Sequence, residues 1–195
     1  ALAETLIAAT DGTLDQVTFA NSGSEANEKA LWLARANGRG GKHLLALRGS
    51  FHGRTLLPLQ GTWNPVKRAP FEFAGCAAFW VDFPAHKTPS VEPELPEGWV
   101  AAWATGSGWT TKGDDLLDAE VATLNQINES LGREDVFAVL AEIMQGEGGD
   151  NHATRRFFCA LLAIAKRHNV PVIFDEVQTG FGLGGSFFWH RCLDL

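Results

Sequence analysis

The sequence predicts one α/β domain with a mostly parallel sheet, on three observations. Short apolar runs alternate with helical patterns along most of the chain. At 195 residues, with 45% hydrophobic and 20% charged residues, the chain has enough apolar surface for one core and is not disordered. Four polar clusters each follow an expected strand directly, as the ligand-bearing loops of an open α/β sheet do.

The elements follow in order. Ala1 to Ile7 is periodic as in a helix, and Val17 to Ala20 reads as a strand. Ser24 to Asn37 reads as a helix with Ala26, Ala30, Leu33 and Ala34 on one face, Glu25 and Lys29 as an i,i+4 pair, and Gly38 at its end. His43 to Leu47 and Ala77 to Val81 are the next strands. Leu116 to Leu131 is helical, with Leu117, Val121, Leu124 and Leu131 in register, and Val136 to Ala141 is a buried strand. Thr154 to His168 is a helix with Phe158, Leu161, Leu162 and Ala165 inward, and its basic end suits the helix dipole. Val172 to Phe174 is a last short strand. Residues 82–113 break the pattern, holding four of the eight prolines and three of the seven tryptophans. The stretch reads as an irregular surface excursion packed by its own tryptophans, or as a lid or partner-binding segment.

A net charge of −7 without a Lys/Arg block argues against a nucleic-acid surface. No apolar run reaches the roughly 18 residues of a membrane span, and the first residues are not a signal sequence. Cys76, Cys159 and Cys192 show neither disulfide nor zinc spacing, so each is expected to be a small buried hydrophobe in a reducing cytoplasm. The sole Met is Met144, and the chain opens in mid-pattern and stops at Leu195 without a closing signal, as a segment of a longer protein would.

The clusters are Asn21–Glu25, Gly49–Arg54, Glu142 with Gln145–Gly149, and Asp175–Gly180. If all four follow parallel strands, they share one edge and form one site. Around Gly23 and Ser24, small residues open a helix whose free N–H groups suit phosphate, although Ser22 and Glu25 are also spaced as a capping box. Asp175, at the tip of a buried strand, needs a cationic or donor partner: a protonated ring nitrogen, a metal ion or an arginine. Phe51 and His52 offer an aromatic face and a titratable ring, with a core position as the other reading of Phe51. Glu142, Glu147, Asp150 and His152 imitate an oxygen-rich metal site, but acidic loops are usually just solvated, and no metal is expected. No serine-nucleophile elbow or dinucleotide-binding fingerprint is present in a suitable setting.

Phe19–Glu28, Ser50–Thr55, Glu142–Gly149 and Ile173–Gly182 resemble the motifs of the class III aminotransferases, in the same order and across nearly the whole chain. The resemblance implies the large domain of a fold type I, aspartate aminotransferase-like enzyme, three-layered and here partial over 1–195, which binds pyridoxal 5'-phosphate and works as a homodimer. It implies that Gly23 and Ser24 hold the phosphate, that Phe51 and Val177 pack on the two ring faces, and that Asp175 pairs with the pyridine nitrogen. Gln178 is implied at the ring hydroxyl, and Glu142 and His52 near substrate and cofactor. The reaction implied is amino-group transfer between an amine or amino acid and a 2-oxo acid. Met144 stands where the family often has Pro, and Leu183-Gly184-Gly185 where it usually has Arg-Thr-Gly. The Schiff-base lysine is expected beyond Leu195, since Lys29, Lys42, Lys67, Lys87, Lys112 and Lys166 all fall at other places. The chain alone is therefore expected to be inactive. The alternatives are a stand-alone non-catalytic cofactor-binding or protein-interaction module, and a metal-dependent hydrolase at Glu142–His152.

Overall fold

A computed structural model of the chain describes all residues except 13, 39, 87–92, 112–113, 134 and 184. Lys87, Lys112, Gly184 and part of the 82–113 stretch thus lie outside the described residues. The elements are α1 (Leu2–Ala8), α2 (Gly23–Asn37), β1 (His43–Leu47), α3 (Leu56–Gln60), α4 (Pro65–Arg68), β2 (Ala77–Val81) and α5 (Trp99–Thr105). They continue with α6 (Asp115–Gly132), β3 (Val136–Glu142), β4 (Met144–Gln145), β5 (Asn151–His152), α7 (Arg155–Arg167), β6 (Val172–Asp175) and α8 (Trp189–Cys192).

Four strands form a parallel sheet in the order β2-β1-β3-β6, and β4 and β5 make a small antiparallel hairpin. From β1 the chain moves outward to β2, then crosses back to β3 on the other side of β1. That reversal leaves a crevice at the carboxyl ends of β1 and β3, where open α/β sheets bind ligands.

Strand alternation sends side chains into two cores. Leu45, Leu47, Val139 and Ala141 pack with α5, α6 and α7. Leu44, Ala138 and Leu140 pack with Leu31 and Ala34 of α2 and Leu57 of α3. Helices therefore cover both faces, the three-layer arrangement. A bulge at the start of β3, where His43 pairs Val136 but Leu44 pairs Ala138, turns both Phe137 and Ala138 toward α2. Beyond the bulge, strict alternation puts Glu142 on the α2 side, and the same count in β6 puts Asp175 there with Ile173.

Local chemistry sets the helix starts. Side chains of Ser22, Asp114 and Thr154 cap α2, α6 and α7 by accepting the N–H of Glu25, Leu117 and Phe157. Between α6 and α7 lies a buried ion pair: Arg156 Nε donates to Glu120 Oε2 at 2.5 Å, and Thr154 Oγ1 donates to Glu120 Oε1 at 2.5 Å. Burial pushes the Glu120 carboxyl up, and the bonds from Thr154 and Arg156 pull the other way.

Four expectations need correction. Val17–Ala20 is not a strand: no strand of the described residues pairs with it, and its largely exposed backbone has no ladder to join. The inward face of α2 is Asn27, Leu31 and Ala34, whereas Leu33 is exposed and Ala26 lies at the surface. Within 82–113, α5 is regular; Trp99 packs edge-on against Trp103 and Trp109, and this tryptophan cluster is part of the main core rather than of a surface excursion. Of the cysteines only Cys76 is buried, where burial pushes its thiol up to about 11; Cys159 is half-buried and Cys192 exposed.

Candidate functional site

The carboxyl edge of the sheet brings the four polar clusters together. Asp175 ends β6 and is buried. Its Oδ2 accepts from His52 Nδ1 at 2.8 Å and from Asn27 Nδ2 at 2.7 Å, and its Oδ1 accepts from the Val177 N–H at 3.1 Å. A carboxylate only accepts, so Nδ1 of His52 carries the proton in that bond. Burial opposes ionisation of Asp175, but the His52 bond and ring, the Val177 N–H and the Asn27 amide outweigh it and hold the carboxyl below its ordinary range. His52 is itself fully enclosed, and its Nε2 has no hydrogen-bond partner among the described residues.

Glu142 ends β3 and is the register partner of Asp175. Its Oε1 accepts the Phe51 N–H at 2.8 Å, which ties the turn after β1 to β3 across the crevice. Burial first, and then the charges of Asp175 and Glu147, push Glu142 up to about 8 against the pull of the Phe51 and Gly146 N–H groups. Two neighbouring carboxyls thus have their proton affinities pushed apart, the pattern of a site that separates acid from base.

The other clusters pack onto this pair. Gln145, fully buried, donates from Nε2 to the Arg48 carbonyl at 2.8 Å and to Ser50 Oγ at 3.0 Å, so the β4–β5 hairpin holds the turn carrying Phe51. Phe51 is half-buried, with Lys67 Nζ 4.7 Å from its ring centroid and ion-paired to Glu147. Val177 is exposed and lies over the start of α2: a Cβ on Gly23 would come within 2.5 Å of its Cγ2. Gln178, also exposed, borders Gly146.

At the first turn of α2, Ser22 Oγ caps the Glu25 N–H, while the Glu25 carboxylate reaches back to the Asn21 N–H, one residue before the N-cap N–H that a capping box would use. The N–H groups of Gly23 and Ser24 have no hydrogen-bond partner among the described residues, so the turn both caps itself and leaves donors open. It borders a cavity of about 530 Å³ lined by Leu6, Val17, Phe19 and Phe181 among others. Gly53, at φ +120°, brings the turn after β1 against Ser24, and a Cβ there would overlap Ser24 Oγ. Gly53→Ala is expected to lower unfolding free energy by about 2–3 kcal/mol through backbone strain and that overlap. A urea midpoint equal to the wild type's would contradict this.

Not everything converges. His152 lies in β5, bonded through its backbone to His86, and Glu147 faces Lys67. Among the described residues no three His, Cys, Asp or Glu are grouped to hold a metal ion. Leu183 is exposed, and nothing in the structure explains its place. Asn27 is the residue the sequence reading missed. It bridges Asp175 and the His52 carbonyl (3.0 Å), and its signal was an amide on the helix stripe that continues through Leu31 and Ala34.

The sequence model of the family "Aminotransferase class-III" matches residues 1–195. The chain is 34% identical over 191 residues to an acetylornithine aminotransferase of Mycolicibacterium smegmatis, covering 98% of this chain and 38% of that protein. It is 35% identical over 192 residues to a succinylornithine transaminase of Citrobacter koseri, covering 96% of this chain and 37% of that one. Among solved structures, the lysine aminotransferase of M. tuberculosis superposes with a TM-score of 0.75 at 30% identity, over 98% of this chain and 42% of that one. An amine transaminase from an uncultivated Pseudomonas species gives 0.76 at 27% identity, over 100% and 41% of the two chains. The chain thus spans about 38% of the length of the first of these relatives.

Proposed function

Because this chain belongs to the class III aminotransferases, we propose that it carries the cofactor-holding part of an enzyme that moves an amino group between an amine or amino acid and a 2-oxo acid. The cofactor is pyridoxal 5'-phosphate. The observation that carries the reading is the state of Asp175. A carboxylate has about four acceptor positions. Those on Oδ2 are filled by His52 and Asn27 and one on Oδ1 by Val177 N, which leaves Oδ1 an acceptor position for a ring N–H. The donor set fits at the other end too, where the open N–H groups of Gly23 and Ser24 suit a phosphate.

Each residue then has a task. Gly23 and Ser24 bind the phosphate with backbone N–H groups. Phe51 and Val177 take the two ring faces, and Gln178 reaches the ring hydroxyl. Asp175, kept ionised by His52 and Asn27, holds a proton on the ring nitrogen. Glu142 lies beside the cofactor and substrate. When bound, the cofactor supplies an electron sink for the pair left on the substrate carbon.

Relatives named for acetylornithine, succinylornithine and lysine support an amino acid as donor. Trp32 of α2, Leu56 of α3 and Val66 of α4 are exposed large apolar side chains, which supports their burial against a second copy in a homodimer. Among the described residues no helix is long and apolar enough to cross a membrane. A cytoplasmic location is part of the same proposal, as is the absence of a Schiff-base lysine among the six lysines of this chain.

Titration of the chain with pyridoxal 5'-phosphate, followed by ring absorbance, is expected to give saturable one-to-one binding; failure to bind overturns the reading. Borohydride followed by mass spectrometry is expected to leave no stoichiometric adduct on a single lysine. Lys67, beside Phe51, is the lysine to watch, and stoichiometric labelling there would overturn the lysine assignment.

A further inference from the structure

Two buried carboxyls stand side by side at this edge. Glu142 and Asp175 are register partners on adjacent parallel strands, and both are directed to the α2 side by strand alternation. They are 3% and 6% exposed. Like charges so placed in low dielectric cannot both ionise at ordinary cost. Their partners decide which one keeps the proton. Asp175 is met by three donors, one of them the His52 imidazole. Glu142 receives the backbone N–H groups of Phe51 and Gly146, and no cationic side chain bonds to it among the described residues. The ionisable groups around it are Asp175 from β6, which is paired with His52, and Glu147 from the hairpin, which is paired with Lys67 of α4.

We propose that Glu142 works as a neutral carboxylic acid, the proton-holding half of a pair with Asp175, and so admits an anionic ligand beside a carboxylate that is already charged. The proposal rests on the reading of this edge as a binding site for an anionic cofactor. A charged Glu142 would face the ligand as a second anion. The neutral acid removes that repulsion and adds an O–H donor. Glu142 is a positioning residue in this role, acting on the charge of the site.

The test needs no turnover. Carbon-13 NMR of the side-chain carboxyls in the ligand-free chain, with the Glu142 signal assigned by Glu142→Gln, is expected to show Glu142 titrating near 8. Titration in the ordinary carboxylate range, below about 5, overturns the proposal. With pyridoxal 5'-phosphate as probe, the ratio of the Gln variant's affinity to the wild type's is expected to rise about tenfold between pH 7 and pH 9, as the wild-type acid ionises. Taking the ratio cancels the titration of the probe itself. A constant ratio overturns the proposal. If neither form binds the probe, the functional reading fails, and the NMR titration still decides the protonation of Glu142.

Discussion

Replacing Asp175 by alanine is expected to destabilise the chain by about 3–5 kcal/mol and to weaken pyridoxal 5'-phosphate binding roughly 10- to 100-fold. Both effects come from one buried carboxylate. Its removal leaves His52 Nδ1, Asn27 Nδ2 and the Val177 N–H without their acceptor in a site that water does not reach freely. The binding loss is that of one charge-assisted hydrogen bond to the ring nitrogen. The stability effect has a definite pH dependence. The folded carboxyl lies below the ordinary value of 3.8, so Asp175 contributes stability above that value and loses it as the pH falls through the folded one. Urea unfolding should therefore show the full gap between wild type and variant at neutral pH and see it narrow as the pH falls below about 4. Equal midpoints at pH 7, or unchanged cofactor affinity, would contradict the role given to Asp175.

Breaking the Glu120–Arg156 pair by one partner should cost a similar amount, about 3–5 kcal/mol. Arg156→Ala leaves Glu120 buried with Thr154 as its remaining hydrogen-bond partner, and Glu120→Ala leaves a buried guanidinium whose Nη2 already lacks a partner among the described residues. The pair also fixes neighbouring elements. Thr154 caps α7 while donating to Glu120, and Trp99 Nε1 donates to the Arg156 carbonyl at 2.7 Å. Replacing both partners together with Leu and Met is expected to recover most of the loss, because no buried charge is then left unpaired. The cycle of Glu120→Leu, Arg156→Met and the two together, followed by urea unfolding, measures this. Additive losses in the double variant would contradict the account.

The strands and long helices were legible because their signals are local. β1 and β2 matched the apolar runs at both ends, and α6 and α7 matched theirs to within a residue or two. Val17–Ala20 failed because a run of four residues carries no record of whether a neighbour exists to bond it. The inward face of α2 was misjudged because periodicity was counted on apolar residues, and Asn27 is polar. The tryptophans of the 82–113 stretch do pack on one another, but nothing in their spacing shows that the cluster belongs to the main core.

The site divides in the same way. The sequence by itself determined that four polar clusters follow apolar segments, and it held the motifs that the family match later covered from end to end. Which groups meet is set by the packing of the strands and of α2. The strand order β2-β1-β3-β6 makes β3 and β6 neighbours, and their register sets Glu142 beside Asp175. The approach of α2 then brings Asn27 to the same carboxylate. The reason is physical: spacing along the chain fixes periodicity and face, whereas the charge state of a carboxyl depends on burial and on donors that lie 123 and 148 residues away in sequence.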